Sequence, residues 1–138
     1  MNKLRPEVTE KSKYWIDKHR YYELQHFCLQ YPQWKRLRSC VSGLAAKPED
    51  SIYISGTNEI ADTTSKAALL RAFYSERINM IEKAAKETDS VIGSYILKGV
   101  TEGCSYDQMR AFQTVPCCRD VYYAMYRKFF WILDKLRQ

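Results

Sequence analysis

Apolar side chains recur at intervals of three and four residues along most of this chain, which is the pattern of amphipathic helices. The clearest stripe lies within 64–88 and consists of Ala67, Leu70, Tyr74, Ile78, Ile81 and Ala85. Asp62, Thr63 and Thr64 offer N-cap chemistry in front of it. The same periodicity predicts helices over 11–31, 33–42, 90–102, 105–113 and 118–137. We therefore expect an all-α helical bundle with a long N-terminal helix.

Periodicity is lost between the second and third predicted helices. Turn-forming residues replace it, and residues 46–62 are predicted as a loop. Residues 52–54 resemble a short strand, but the sequence offers no partner strand, so they are assigned to that loop. The expected organisation is an N-terminal helical segment over 1–45, the loop, and a helical core over 63–138, all in one compact domain.

The first predicted helix is rich in aromatic residues, and Pro32 either kinks it or opens the next helix. One stripe contains Tyr14, Tyr21, Leu24, Cys28 and Tyr31, and a neighbouring stripe contains Trp15, Tyr22 and Leu29. Steps of seven residues are typical of a coiled-coil seam. Two interpretations stay open: the helix packs on its own domain, or it forms a homodimer. In the next helix, Lys35, Arg36 and Arg38 form either a solvated face or a phosphate contact.

The last fifty residues carry the strongest local signals. Asp89 can cap a helix whose inward residues are expected to be Val91, Ile92, Tyr95, Ile96 and Val100. Gly103 stands where a left-handed residue ends such a helix. Ser105 and Gln108 have the spacing of a capping box that opens a short helix. Pro116 then forces the chain out of helical geometry before the last helix. This order predicts a C-terminal tri-helical helix-turn-helix unit over 90–137.

The last helix has two faces with different predicted roles. Its core stripe is expected to contain Val121, Tyr122, Met125, Phe129, Ile132, Leu133 and Leu136. Polar residues near its start lie opposite, where a recognition helix presents side chains to base edges. The predicted DNA contacts are Arg119, Asp120, Tyr123 and Arg127, together with Ser105 and Lys128. The alternative is a solvated face on which Asp120 neutralises one of the arginines.

Two aromatic residues of the last helix, Phe130 and Trp131, project off the expected core stripe. Another surface must cover them, and the candidates are the first helix and a second subunit. A predicted interface therefore comprises Tyr14, Tyr21, Tyr22, Phe130 and Trp131.

Composition narrows the function further. Lys and Arg outnumber Asp and Glu by 22 to 16, giving a net charge of +6, which suits a polyanionic partner such as double-stranded DNA. The five cysteines are odd in number and lack Cys-x-x-Cys spacing, which argues against a disulfide framework or a zinc site. No catalytic constellation is found, so we expect neither an enzyme nor a cofactor. No membrane span or secretory signal is predicted, so a cytoplasmic location is expected.

The C-terminal part resembles phage transcriptional regulators of the RinA and ArpU type, whose C-terminal part looks like a promoter-reading sigma-factor region 4. The resemblance covers 62–137 and rests on residues 62–64, 89–103, 105–109, 115–123 and 126–133, with Cys117 and Cys118 where a glycine is more familiar. It implies a sequence-specific DNA-binding activator of phage late genes, acting as a dimer or with RNA polymerase in a bacterial host. The alternatives are a phage-encoded inhibitor of a host enzyme, such as a CRISPR nuclease or RNA polymerase, and a small terminase subunit.

Overall fold

The computed structural model describes residues 13–46 and 57–138, with side chains placed over 13–41 and 63–138. Within these ranges the chain forms six helices and no strand, so the all-α prediction is confirmed. The helices are α1 (Lys18–Leu29), α2 (Tyr31–Ala46), α3 (Thr57–Thr88), α4 (Gly93–Glu102), α5 (Tyr106–Phe112) and α6 (Arg119–Leu136).

The helices divide between two compact units. Unit 1 comprises Met1–Tyr31 and Met80–Gln138, so that it contains α1, the C-terminal part of α3, and α4 to α6. Unit 2 comprises Pro32–Asn79, with most of α2 and the N-terminal part of α3. The predicted helix-turn-helix segment therefore lies entirely in unit 1.

In unit 1, α1 packs on α4 and α6, and α4 also packs on α5 and α6. The fully buried large side chains of this core are Leu24, Cys28, Ile81, Ile96, Met109, Tyr122, Phe129, Phe130 and Leu133. Arg20 ties α1 to α6, because its Nε donates to Asp134 Oδ1 at 2.6 Å while its Nη1 pairs with Glu23. These contacts raise the pKa of Arg20, with the Asp134 hydrogen bond as the largest cause.

The apolar stripe predicted for the first helix packs inside unit 1. Tyr21, Leu24 and Cys28 are buried, and so is Tyr31, whose hydroxyl donates to Glu82 Oε2 at 2.5 Å. Helix α1 starts at Lys18, later than predicted, with the Asp17 carboxylate accepting from the His19 backbone N–H at 3.1 Å. Of the two alternatives for Pro32, the structure shows the second, since it stands in the first turn of α2.

The third helix begins earlier than the sequence pattern indicates. It starts at Thr57 rather than residue 64, so the predicted cap at 62–64 is wrong and residues 57–62 of the predicted loop are helical. Extending a nucleated helix gains one hydrogen bond per residue fixed, so a segment without periodicity can still join it. The rest of the predicted loop, including 52–54, lies outside the described residues, as does the start of the predicted first helix.

Unit 2 is built from α2 and the first part of α3. Trp34, Val41 and Ile78 are buried, and Arg38 Nη1 donates to Ser75 Oγ at 3.3 Å, which joins the two helices. The basic cluster of α2 is therefore divided: Arg38 is half-buried, whereas Lys35 and Arg36 are exposed.

Across the described parts of the chain, none of the helices combines the length and the apolar character that crossing a membrane requires.

Candidate nucleic-acid interface

Helices α4, α5 and α6 meet at Gly99. A β-carbon at this position would clash with the Tyr122 hydroxyl of α6 and lie 3.3 Å from Met109 Cε of α5. Tyr122 and Met109 are both fully buried. The absence of a side chain at Gly99 thus lets the two later helices pack closely on α4, and it fixes the three-helix unit that carries the candidate site.

Of the predicted boundaries of α4, the end at Gly103 is confirmed, whereas the start at Ser90 is wrong: the N-cap position is Ile92, which makes no side-chain cap hydrogen bond, and Asp89 instead caps the turn before the helix. Asp89 Oδ1 accepts hydrogen bonds from the backbone N–H groups of Val91 and Ile92, both at 2.8 Å. These two bonds lower the pKa of Asp89, with a smaller contribution from the charge of Lys128. Helix α4 itself starts at Gly93, so Val91 lies before it and is 59% exposed, contrary to its predicted inward position. Gly103 ends the helix in the left-handed conformation, at φ 70°, as predicted.

Short helix α5 is fixed at its start by three sets of hydrogen bonds. The predicted capping box is present: Ser105 Oγ accepts from the Gln108 N–H at 3.1 Å, and Gln108 Oε1 accepts from the Ser105 N–H at 2.8 Å. The Tyr106 N–H donates to the Tyr123 hydroxyl at 3.1 Å, and the Tyr106 hydroxyl donates to the Cys117 carbonyl at 2.7 Å. The turn 113–118 and α6 are therefore both bonded to the first residue of α5.

The buried face of α6 is rotated from the predicted one. Tyr122, Tyr126, Phe129, Phe130 and Leu133 are buried, while Val121 is 43% exposed and Met125, Ile132 and Leu136 are only half-buried. The reason is tertiary. Tyr126 and Phe130 face α1, where the Tyr21 hydroxyl lies 3.4 Å from the Tyr126 hydroxyl and the Tyr21 ring lies 5.0 Å from the Phe130 ring. Burial strongly raises the pKa of both Tyr122 and Tyr126.

The predicted interface aromatics are largely covered within the chain. Tyr21 and Phe130 are buried against each other within the chain. The Trp131 ring packs edge-on against Tyr14 at 5.3 Å and lies under the Lys135 ammonium at 3.5 Å. Tyr22 is half-buried beside Tyr21. Of the two candidate covers for Phe130 and Trp131, the structure shows the N-terminal segment.

The first predicted DNA contact, Arg119, is exposed but paired. Its Nη2 donates to Asp107 Oδ2 at 3.1 Å, and the two side chains are 58% and 66% exposed. The partner is thus on α5, whereas the predicted alternative placed the pair within α6 at Asp120. Exposed pairs of this kind contribute about 0–1 kcal/mol, so the carboxylate of Asp107 holds Arg119 only weakly.

Tyr123 makes a contact inside the chain that the sequence did not predict. It is half-buried, and its hydroxyl oxygen accepts the Tyr106 N–H, so this acceptor orients α5 against α6. Ser105 is likewise engaged in capping α5. Both residues act on the position of helices, and the sequence pattern gave no signal for the contact of Tyr123, because its partner lies 17 positions earlier.

The remaining predicted contacts lie on the side of α6 opposite its buried face. At 100° per residue, Asp120, Ala124, Arg127 and Lys128 point away from Tyr122 and Phe129. Asp120 is exposed, and Arg127 and Lys128 are half-buried. Val121, which was predicted to be in the core, borders this surface. We refer to Asp120, Val121, Ala124, Arg127 and Lys128 as the outer face of α6.

Two features near the turn were not predicted as functional. Phe112, the last residue of α5, is 76% exposed, although an apolar side chain of this size is usually buried. Beside the turn lies an open cleft of about 470 Å³, lined by Tyr106, Arg110, Thr114, Val115, Cys117 and Cys118. Burial raises the pKa of the Cys117 thiol, with smaller contributions from Cys118 and Asp89. Among the described residues, no three His, Cys, Asp or Glu side chains come together as metal ligands.

Comparison with protein-family models, with curated proteins and with solved structures finds no match to this chain.

Proposed function

We propose that the protein binds double-stranded DNA through the unit α4–α6, with α6 as the recognition helix, and that it acts as a transcriptional regulator. The observation that carries the proposal is the outer face of α6, which lies opposite the buried face of the helix, on a three-helix unit whose turn is bonded at Tyr106. The net charge of +6 and the resemblance of 62–137 to phage regulators of the RinA and ArpU type support it.

The dimensions of α6 fit this role. Arg119 lies at the start of α6, beside its outer face, and is separated from Arg127 by about 12 Å of helix rise, and the major groove of B-DNA is about 12 Å wide. Arginines at these two positions can both reach the edges of one groove. Alternatively, one arginine can contact a guanine while the other contacts a phosphate. Between them, Asp120 can accept from a cytosine amino group and Val121 can contact a thymine methyl group.

The experiment is a binding titration of the full chain with duplex selected from a random-sequence pool, repeated at several salt concentrations. Wild-type affinity is expected to fall steeply with salt, because phosphate contacts release counterions. Lys128→Ala is expected to weaken binding to all sequences and to reduce the salt slope by about one. Arg127→Ala, on the same face, is expected to cost about 1–3 kcal/mol if it reads a base.

Lys86→Ala is the matched control, since it removes an equal charge from an exposed position on α3. It is expected to bind like the wild type. Binding that is insensitive to salt, or equal losses in Lys86→Ala and Lys128→Ala, would contradict the proposal.

A second candidate function, binding to a host protein, is favoured by Phe112. Exposed aromatic residues are typical anchors of protein interfaces. A pull-down from nuclease-treated bacterial lysate, compared between the wild type and Phe112→Ser, tests it: a stoichiometric partner held only by the wild type supports this function, and identical profiles contradict it.

A further inference from the structure

An exposed stripe runs along the N-terminal half of α3. It consists of Lys66, Leu69, Phe73 and Glu76, spaced by three, four and three residues, so all four share one side of the helix. Leu69 is 71% exposed and Phe73 44% exposed, and the two charged residues are also exposed. Leu70, beside the stripe, is 45% exposed. We refer to these four residues as the α3 stripe.

The contacts of α3 within unit 2 leave this side of the helix open. Ser75, which accepts the hydrogen bond from Arg38 of α2, lies well away from the α3 stripe around the helix axis. Phe73 is held in place by Arg77, whose guanidinium stacks on the ring at 3.5 Å and whose Nη1 donates to the Phe73 carbonyl at 3.3 Å. The ring of Phe73 is thus in contact with Arg77 on its own helix.

The opposite charges at the two ends of the α3 stripe indicate which partner fits the stripe and in which direction the partner helix runs. The spacing of three, four and three reads the same from either end, while the two ends carry opposite charges. We propose that a second copy of this chain docks antiparallel on the α3 stripe. Leu69 then lies against the partner's Phe73, and Lys66 lies against the partner's Glu76. A parallel copy would place Lys66 against the partner's Lys66, which is repulsive.

The pairing has the symmetry of common homodimers. A two-fold axis passes between Leu69 and Phe73, so each contact occurs twice and the same surface serves both chains. The repeat of three and four residues is the seam along which two helices interlock. This surface differs from the predicted dimer helix, α1, whose apolar side is buried inside unit 1. The proposed pairing does not require DNA.

The test measures the mass of the full chain in solution, without DNA, by sedimentation over a range of concentrations. The wild type is expected to reach about 33 kDa, twice the 16.3 kDa of one chain. Leu69→Glu is expected to remain at 16.3 kDa at every concentration, with an unchanged circular dichroism spectrum, because the residue is exposed in one chain. A wild type that stays monomeric would overturn the proposal.

Charge exchange tests the antiparallel register. Lys66→Glu and Glu76→Lys, made singly, each replace two attractive contacts by two repulsive ones and are expected to raise the dimer dissociation constant about tenfold. The double variant restores both pairs and is expected to dimerise like the wild type. Ala68→Glu is the matched control, because it adds a charge to an exposed position on another side of α3. Dimerisation unaffected by either single exchange, or lost in the double variant, would overturn the proposed register.

Discussion

The hydroxyl of Tyr123 accepts a hydrogen bond of 3.1 Å from the backbone N–H of Tyr106. Tyr106 is the first residue of α5, and its N–H has no acceptor inside a helix that begins there. A side chain of α6 thus completes the hydrogen bonding of α5. The contact sets the position of α6 relative to α5, the helix before it.

Tyr123→Phe is therefore expected to reduce stability more than DNA affinity. Removal of the acceptor leaves the N–H of the buried residue Tyr106 unpaired, which costs about 1 kcal/mol in the free energy of unfolding, measured by urea denaturation. Tyr95→Phe, which deletes the hydroxyl of another half-buried tyrosine outside this bond, is the control. A loss of DNA affinity at unchanged stability would show instead that Tyr123 contacts the duplex directly.

A second prediction concerns the close approach at Gly99. Gly99→Ala is expected to destabilise the chain by about 1–3 kcal/mol, because the new methyl group clashes with the Tyr122 hydroxyl. That hydroxyl is buried and finds no hydrogen-bond partner among the described residues. Tyr122→Phe alone is therefore expected to be neutral or stabilising.

The double variant Gly99→Ala/Tyr122→Phe tests the same relationship. It is expected to recover most of the stability lost in Gly99→Ala, because alanine favours a helix over glycine once the clash is removed. Denaturation of all four proteins gives the coupling energy between the two sites. Strict additivity of the two substitutions would contradict the clash as the cause.

The sequence correctly predicted the structural features that depend only on neighbouring residues. The capping box of Ser105 and Gln108 and the left-handed Gly103 involve only a few neighbouring residues, and both are confirmed. The inward face of α6 depends on which helices pack against it, and here prediction failed. Val121 is exposed and Phe130 is buried, because α1 supplies Tyr21 on the side of Phe130.

In the candidate site, too, helical periodicity predicts which residues point away from the core but not which residues of different helices pair. The positions of Asp120, Arg127 and Lys128 away from the core follow from helical periodicity. The pairing of Arg119 with Asp107 spans 12 positions and joins two helices, so periodicity carries no signal for it. The DNA-binding role of these residues stays a prediction.

The pair of Arg119 and Asp107 leads to a third prediction, which rests on the proposed function. Asp107→Asn removes a carboxylate that competes with DNA for Arg119, and it is expected to raise duplex affinity by a factor of roughly two to five. Stability is expected to change by less than about 0.5 kcal/mol, since the pair is exposed. Fluorescence anisotropy with labelled duplex measures the affinity.

The control for this prediction is Asp107→Asn made in a chain that lacks the Arg119 guanidinium. In an Arg119→Ala background, Asp107→Asn is expected to gain less affinity, since no guanidinium remains to be released. An equal gain in both backgrounds would mean that the carboxylate acts only through its general repulsion of phosphate.

Asp89 gives a prediction about acid stability. Its pKa is lowered in the folded state, mainly by the hydrogen bonds from the N–H groups of Ile92 and Val91. A lowered folded pKa means that the contribution is complete above the unfolded pKa of about 3.9 and is lost as the pH falls through the folded value. Asp89→Asn keeps an acceptor oxygen but does not titrate, so it is expected to lose less stability on acidification from about pH 6 to about pH 3. Parallel urea denaturation curves for both proteins at each pH measure the difference, and identical pH profiles would contradict the role of Asp89.

The cysteines provide a prediction about chemical reactivity. Cys28 is completely buried, and burial raises the pKa of its thiol far above the usual range, whereas Cys40 and Cys118 are exposed. The thiolate is the reactive species, so a low thiolate fraction and an inaccessible sulfur both slow alkylation.

Native protein treated with iodoacetamide is expected to be modified first at Cys40 and Cys118, and at Cys28 only when unit 1 opens. Peptide mass spectrometry over a time course identifies the sites, and the denatured chain, in which all five cysteines react, is the control. Modification of Cys28 as fast as Cys118 in the native protein would show that α1 does not stay packed on α4 and α6 in solution.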